Sequence, residues 1–108
     1  MRIYGIFFVI LLFSFFLTTD LKADSEKIIL GLEVFNNKAM CGTCHVLKAA
    51  GSTGNIGPDL DDLKLSEEQI RDVVTQGFGV MPAFGEEGLL TSEEIDAVSY
   101  YVTNSSGK

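Results

Sequence analysis

The sequence predicts a small all-α domain that follows an apolar N-terminal segment. Three stretches show helical periodicity, namely residues 25–36, 67–76 and 92–103. Two Gly-rich loops, residues 49–62 and 77–90, separate them, and neither loop alternates apolar and polar residues as a strand would. A length of 108 residues allows one domain. We therefore expect about three main helices joined by Gly-rich loops, without a parallel sheet or a barrel.

The N-terminal segment has the order of a secretory signal peptide. Arg2 precedes an uncharged run over residues 3–19, and the small residue Ala23 follows it. We predict cleavage after Ala23, so that residues 1–23 are a signal peptide and residues 24–108 form an exported, periplasmic domain. The uncharged run is at the short limit for spanning a bilayer. An uncleaved membrane anchor is therefore the alternative.

The first predicted helix carries an apolar stripe and polar ends. The stripe consists of Ile28, Leu32 and Phe35, flanked by Ile29 and Gly31. Asp24 or Ser25 can cap the start of this helix, and Asn36-Asn37 ends it.

The other two predicted helices begin with capping-box spacing. Ser66 and Gln69 have this spacing before the second helix, and Thr91 and Glu94 have it before the third. Gly77 follows the last turn of the second helix. The predicted buried faces are Ile70, Val73 and Val74 in the second helix and Ile95, Val98, Tyr101 and Val102 in the third.

The charge of the predicted exported domain is strongly acidic. The whole chain has a formal net charge of −7, and removing residues 1–23 takes away Arg2, Lys22 and Asp20, which leaves −8. This balance argues against nucleic acid or an anionic membrane as a partner. It favours a redox partner with a basic docking patch, because complementary fields raise encounter rates. The alternative is that the charge serves solubility alone.

The motif that carries chemistry is the pentapeptide Cys41-Gly42-Thr43-Cys44-His45. C-x-x-C-H is the attachment signal of a c-type haem. Two thiols at this spacing can add to the two vinyl groups of one haem, and the imidazole that follows can bind the iron. Cys41 and Cys44 are the two cysteines of the chain and His45 is its one histidine. We therefore predict one covalently bound haem c, with the Gly-rich loops wrapped round it.

Three other interpretations of the pentapeptide are weaker. A Cys41–Cys44 disulfide is the plain structural alternative in an exported protein. A thioredoxin-like redox pair requires a βαβ context, which the sequence lacks. A zinc site requires four ligands, and Cys41, Cys44 and His45 lie too close together in sequence for an ordinary tetrahedral site.

A methionine is the expected sixth ligand of the iron. The single histidine excludes bis-histidine ligation within the chain, and methionine sulfur is the common alternative in electron carriers. Met40 precedes Cys41 and is tethered on the wrong side to reach the opposite haem face. Met81 lies in a loop between two helices, where Pro82 would stiffen it. We therefore expect His45 and Met81 to bind the iron, in preference to core packing of Met81.

Pro58 is the expected hydrogen-bond partner of His45. An iron-bound histidine usually donates its second ring N–H to a carbonyl, which fixes the orientation of the ring. Proline holds its carbonyl rigidly, so Pro58 is a good candidate, although Gly57-Pro58 alone is also compatible with an ordinary turn before Asp59.

Over residues 25–103, the chain resembles the class I cytochromes c, the small soluble monohaem cytochromes of bacteria and photosynthetic organisms. The matching pieces in chain order are Gly31-x-x-x-Phe35, Cys41-Gly42-Thr43-Cys44-His45, Gly57-Pro58, Met81-Pro82-Ala83-Phe84 and Ile95-x-x-Val98-x-x-Tyr101-Val102. The resemblance implies a cytochrome c fold in which Gly31 lets the first helix cross the last one, with Phe35 and Tyr101 at the crossing. It also implies haem attachment outside the cytoplasm. The chain departs from the family in one respect, since residues 49–62 contain no Arg or Tyr to hold the haem propionates.

The predicted function is one-electron transfer without catalysis. With both axial positions filled and no acid, base or nucleophile cluster in the sequence, the iron has no free site for a substrate. The resemblance also allows a dedicated electron-accepting subunit of a periplasmic dehydrogenase, for example a sulfite-oxidising one. A ligand-binding haem sensor or peroxidase is a third, weaker hypothesis.

Overall fold

Three α-helices dominate the computed structural model, which describes residues 20–108. Residues 1–19 lie outside the described residues, and with them most of the predicted signal peptide, residues 1–23, so its cleavage stays a prediction. The helices are α1 over residues 20–33, α2 over Glu67–Gln76 and α3 over Ser92–Ser105. This arrangement confirms the predicted all-α class with three main helices.

Helix α1 differs from the prediction at both ends. The helix runs through Asp24 and Ser25 without a break, so neither residue caps it. At the other end, α1 passes directly into a π-helical turn over Val34–Lys38, closed where the Ala39 N–H donates to Val34 O at 2.8 Å. A wider turn of this kind has no simple sequence signature. The predicted end at Asn36 is therefore wrong by about half a turn.

The buried face of α1 is also rotated from the predicted stripe. Gly31, Val34 and Phe35 are buried, whereas Leu32 is 36% and Ile29 66% exposed. The reason is the contact with α3. A Cβ on Gly31 would overlap Ala97 O and Tyr101 Cβ, so the glycine itself faces α3 and sets the rotation of α1.

Phe35 and Tyr101 lie at the crossing of α1 and α3. Their ring centroids are 6.1 Å apart with an interplanar angle of 63°, an edge-to-face arrangement that aromatic pairs prefer. Both rings are buried. The expected crossing of the first and last helices, with Gly31, Phe35 and Tyr101 at its centre, is therefore confirmed.

Capping boxes start α2 and α3, as predicted. The Ser66 and Thr91 hydroxyls accept from the N–H groups of Gln69 and Glu94, both at 3.2 Å. In return, the side chains of Gln69 and Glu94 accept from the N–H of Ser66 and of Thr91, both at 2.9 Å. These four bonds satisfy N–H groups that a helix start leaves unpaired. Helix α3 ends at Ser105, two residues beyond the predicted end.

A two-stranded antiparallel ribbon links the region after His45 to the loop that follows. Strand β1, Val46–Leu47, pairs with β2, Ser52–Thr53, so that Leu47 lies opposite Ser52. The Ser52 hydroxyl accepts from the Leu47 N–H at 2.9 Å. Strands of two residues carry no alternation, which is why the sequence did not predict them.

The core lies between the three helices, with Leu47 of β1 contributing to it. Its buried members are Val34, Phe35, Leu47, Ile70, Val74, Leu90, Ile95, Val98, Tyr101 and Val102. Met81, Phe84 and Cys41 are partly buried against this core. Within residues 20–108, no helix is both long and apolar enough to cross a membrane.

Candidate haem attachment site

The two thiols and the histidine lie on one tight turn. A 3₁₀ turn over Cys41–Thr43 is followed by Cys44, whose N–H donates to Cys41 O at 3.1 Å, and the His45 N–H donates to the same oxygen at 3.0 Å. Both cysteines are free thiols, so the disulfide alternative is not present in this structure. Burial raises the pKa of the Cys41 thiol to about 11, and the nearby Cys44 adds to this increase. Cys41 is therefore a neutral thiol at neutral pH.

The approach to this turn requires an unusual backbone conformation. Met40, directly before Cys41, has a left-handed φ of 52°, and it is the one non-glycine residue with a positive φ among residues 20–108. Its carbonyl accepts from the Thr43 N–H at 3.1 Å, which closes the 3₁₀ turn. A left-handed conformation costs a non-glycine residue about 1–2 kcal/mol. The π-helical turn and Met40 together connect α1 to the cysteine turn.

The His45 ring is oriented by the segment 57–58. Its Nδ1 lies 2.7 Å from Pro58 O. A carbonyl can only accept, so Nδ1 carries a proton, and in the neutral imidazole Nε2 is then the ring nitrogen whose lone pair is available to a metal. The geometry thus contains the hydrogen bond expected from the sequence for an iron-binding histidine.

Gly57 packs directly against the His45 ring. A Cβ on Gly57 would overlap His45 Cε1 and would lie 2.8 Å from His45 Nδ1. The Gly57 N–H also donates to Cys44 O at 2.7 Å, so this backbone cannot move away from the ring. The sequence pattern indicates Gly57 only as part of the Gly57-Pro58 motif and does not predict this contact with the ring. A glycine next to the predicted carbonyl partner was the signal that could have indicated it.

A second glycine lets the loop after β2 approach the cysteine turn. A Cβ on Gly54 would lie 2.6 Å from both Gly42 O and Thr43 O. The sequence pattern does not indicate a role for Gly54. The site thus depends on close approach at two glycines, to the His45 ring at Gly57 and to the backbone of the cysteine turn at Gly54, in addition to the side chains of the motif.

Met81 lies in a different part of the chain, the loop after α2. It forms a tight turn with Phe78, in which the Met81 N–H donates to Phe78 O at 2.9 Å and the Phe78 N–H donates to Met81 O at 3.3 Å. The side chain is partly buried against the core. Gly77 has a left-handed φ of 75°, and a Cβ there would lie 2.7 Å from Met81 O. This glycine therefore lets the loop turn back on itself.

The donor set fits a covalent haem better than a bare metal ion. Two free thiols, an imidazole with a free Nε2 and a thioether in a loop of its own are the groups that a c-type haem uses. By contrast, residues 20–108 contain no cluster of three or more His, Cys, Asp or Glu side chains that could hold a metal ion. The zinc alternative therefore has no ligand set among them.

Comparison with known proteins gives one family and two relatives. A family model described as cytochrome c oxidase, cbb3-type, subunit III matches residues 29–102. The chain is similar to cytochrome c6 of Microcystis aeruginosa, with 36% identity over 78 residues, which cover 67% of this chain and 89% of that protein. It is also similar to the crystal structure of the c-type cytochrome SorU from Sinorhizobium meliloti, with 42% identity and a TM-score of 0.72, over 78% of this chain and 95% of that one.

Proposed function

We propose that this chain, which belongs to the cytochrome c family and is an electron-carrying c-type cytochrome with one covalent haem c, shuttles single electrons between periplasmic or membrane redox partners. In this proposal His45 and Met81 bind the iron. The observation that carries it is the 2.7 Å contact between His45 Nδ1 and Pro58 O, which leaves Nε2 free. The haem, when bound, supplies a one-electron couple, and the chain sets its attachment, orientation and surroundings.

The cysteine turn provides attachment. Cys41 and Cys44 would form the two thioether bonds, and the turn that carries them is held by the Cys44 and His45 N–H groups, which both donate to Cys41 O.

The histidine side is proposed to be fixed before iron is bound. The Pro58 carbonyl holds the Nδ1 proton, and Gly57 restricts rotation of the ring. A strong hydrogen bond at Nδ1 raises the basicity of Nε2 and so strengthens its bond to iron.

The methionine side is proposed to complete the ligation. Met81 is held by its turn with Phe78 and by packing against the core. A histidine and methionine pair raises the reduction potential of a haem relative to two histidines. With both axial positions filled, the iron would have no position for a substrate, so we propose an electron carrier without catalytic activity.

Absorption spectra of the wild-type protein and of two methionine variants test this proposal. The protein is expressed with haem-maturation machinery, and spectra are recorded in the oxidised and reduced states. We expect c-type bands in all three proteins, with the weak far-red sulfur-to-iron band in wild type and Met40→Ala but not in Met81→Ala. Met40 is a matched control, because it is the other methionine of residues 24–108 and is 61% exposed.

The same experiment distinguishes the alternatives. A far-red band that persists in Met81→Ala would show that Met81 is not the ligand. Rapid binding of carbon monoxide to the reduced wild-type protein would indicate a free iron position and favour a sensor or peroxidase. Elution of the native protein in a stable complex with an oxidoreductase would favour a dedicated electron-accepting subunit.

A further inference from the structure

We propose that Met40 is a reversible oxidation site, whose thioether hydrogen peroxide converts to a sulfoxide before it oxidises Met81. Met40 is 61% exposed, whereas Met81 is partly buried against the core. They are the two methionines of residues 24–108. A methionine sulfur takes up oxygen from peroxides, which aliphatic side chains do not. The difference in exposure therefore predicts the order in which the two sulfurs react.

The backbone holds Met40 at the surface. Its φ of 52° is left-handed, and its carbonyl accepts from the Thr43 N–H at 3.1 Å. Such strain persists only where the surrounding structure enforces it, and it is frequent at functional positions. Within residues 20–108, the side chain of Met40 belongs neither to the buried core nor to the partly buried residues packed against it. A fixed backbone therefore presents this thioether to solvent.

The two methionines differ in what a sulfoxide would do to the protein. Part of this contrast rests on the electron-carrier function proposed above, in which Met81 binds the iron. A sulfoxide at Met81 would place a polar group against the core and remove an iron ligand. A sulfoxide at Met40 would add a polar group where solvent already surrounds the side chain, next to Cys41 of the attachment turn. Met40 can therefore be oxidised without loss of the fold.

The reaction needs hydrogen peroxide alone. A lone pair of the Met40 sulfur attacks one peroxide oxygen, so that an S–O bond forms and the O–O bond breaks. The second oxygen leaves as hydroxide, takes the proton from the transferred oxygen and becomes water. The sulfur loses two electrons and the peroxide gains them. Methionine sulfoxide reductases reverse this oxidation at the expense of a thiol, so the modification is removable.

Peptide mass mapping of the haem-loaded protein after peroxide treatment tests the proposal. Wild type and Met40→Leu are incubated with hydrogen peroxide, and catalase stops the reaction before digestion. We expect the wild-type peptide with Met40 to gain one oxygen atom before the peptide with Met81 gains any, while the far-red band is kept. A methionine sulfoxide reductase with a thiol reductant should then remove this oxygen.

Met40→Leu is the matched control, because leucine has a similar volume and no sulfur. Its peptide should not gain the oxygen atom that the wild-type peptide gains. This comparison also corrects for oxidation of the thioether sulfurs at Cys41 and Cys44, which lie in the same part of the chain.

Oxidation of Met81 first, or an equal gain of oxygen in wild type and Met40→Leu, would overturn the proposal. Loss of the far-red band while Met40 is oxidised and Met81 is unmodified would assign Met40 to the haem surroundings and also overturn it. Failure of the electron-carrier function is separate, because wild type would then lack the far-red band or a reversible redox couple before peroxide is added. The mass mapping would still give the order in which the two methionines react.

Discussion

The two sides of the proposed haem site are constructed differently. The histidine side, residues 41–60, is fixed by hydrogen bonds and by glycine contacts that involve the ring itself, since Pro58 O lies 2.7 Å from His45 Nδ1 and Gly57 packs on the ring. The methionine side is the turn between α2 and the loop that follows. Two hydrogen bonds hold it, in which the Gly77 N–H donates to Val73 O at 2.8 Å and the Phe84 N–H donates to Val74 O at 3.0 Å. These bonds fix the backbone of the loop and do not restrain the sulfur. The difference indicates a rigid ligand on one side and a more easily released ligand on the other.

The largest effect is expected from Gly57→Ala, which disturbs the rigid histidine side. The new Cβ overlaps the His45 ring, and the Gly57 N–H bond to Cys44 O prevents the backbone from moving away. Overpacking of this kind costs about 1–3 kcal/mol, and here it also displaces the ring of His45, the proposed iron ligand. We expect a loss of covalent haem, measured by haem staining, and about 3 kcal/mol less unfolding free energy in denaturant titrations.

Pro58→Ala is the control for this prediction, because it keeps the carbonyl that accepts from His45. The spectrum should then stay close to that of wild type. If Pro58→Ala and Gly57→Ala have equal effects, the histidine side depends on the stiffness of the loop and not on contact with the ring.

A smaller effect is expected from Gly77→Ala, which disturbs the loop of the methionine side. Gly77 has a φ of 75°, and a Cβ there would lie 2.7 Å from Met81 O and 2.9 Å from Ala83 N. We expect about 2 kcal/mol of strain and overlap confined to this loop. On heating, the far-red band should therefore be lost at a lower temperature than the helical circular dichroism signal.

Gly79→Ala tests the effect of backbone strain without the steric overlap that a Cβ at Gly77 would cause. Gly79 also has a positive φ, 56°, but no atom lies within 4 Å of the position of its Cβ. Gly79→Ala should lower the temperature at which the far-red band is lost, but by less than Gly77→Ala does. If the far-red band and the helical circular dichroism signal are lost at the same temperature in both variants, the methionine side is not released separately from the rest of the fold.

The smallest effect is expected from Asp61→Asn, which loosens the connection of the histidine side to the C-terminus. Asp61 accepts from the Lys48 N–H and the Gly107 N–H, both at 2.9 Å, and these bonds lower its pKa. A pKa that is lower in the folded state stabilises the fold above the unfolded value of 3.8, and this contribution is lost as the pH falls through the folded pKa. The unfolding free energy of wild type should therefore decrease more steeply below about pH 4 than that of Asp61→Asn. Parallel curves would show that Asp61 has the same pKa in both states.

The sequence predicted the parts of this molecule whose signals are local. Capping boxes at Ser66 and Thr91 fix the starts of α2 and α3 through residues three positions apart. The pentapeptide at residues 41–45 identified the haem because its chemistry resides in adjacent residues. The family comparisons confirm the fold and the cofactor, whereas ligation by Met81 remains a proposal.

Periodicity and local motifs, without the family resemblance, did not predict several features that depend on contacts between distant residues. Residues 28–35 are apolar on most sides, so periodicity alone did not show that α1 turns Gly31 toward Ala97 and leaves Leu32 at the surface. The left-handed φ of Met40 has no signal either, since glycine or asparagine would be expected there. The contact of Gly57 with the His45 ring appears only when the loop is folded.

The hydrogen bond between His45 and Pro58 also bears on the order in which the protein assembles. It spans 13 residues, whereas the bond between Asp61 and Gly107 spans 46 and the Gly31 contact with Ala97 joins opposite ends of the domain. Closing a short loop costs less chain entropy than closing a long one. The bond between His45 and Pro58 therefore costs less chain entropy than the contacts that join the two ends of the domain, and we expect it to form earlier as the chain folds. The two thiols and the imidazole would then be arranged for haem attachment before α1 and α3 meet.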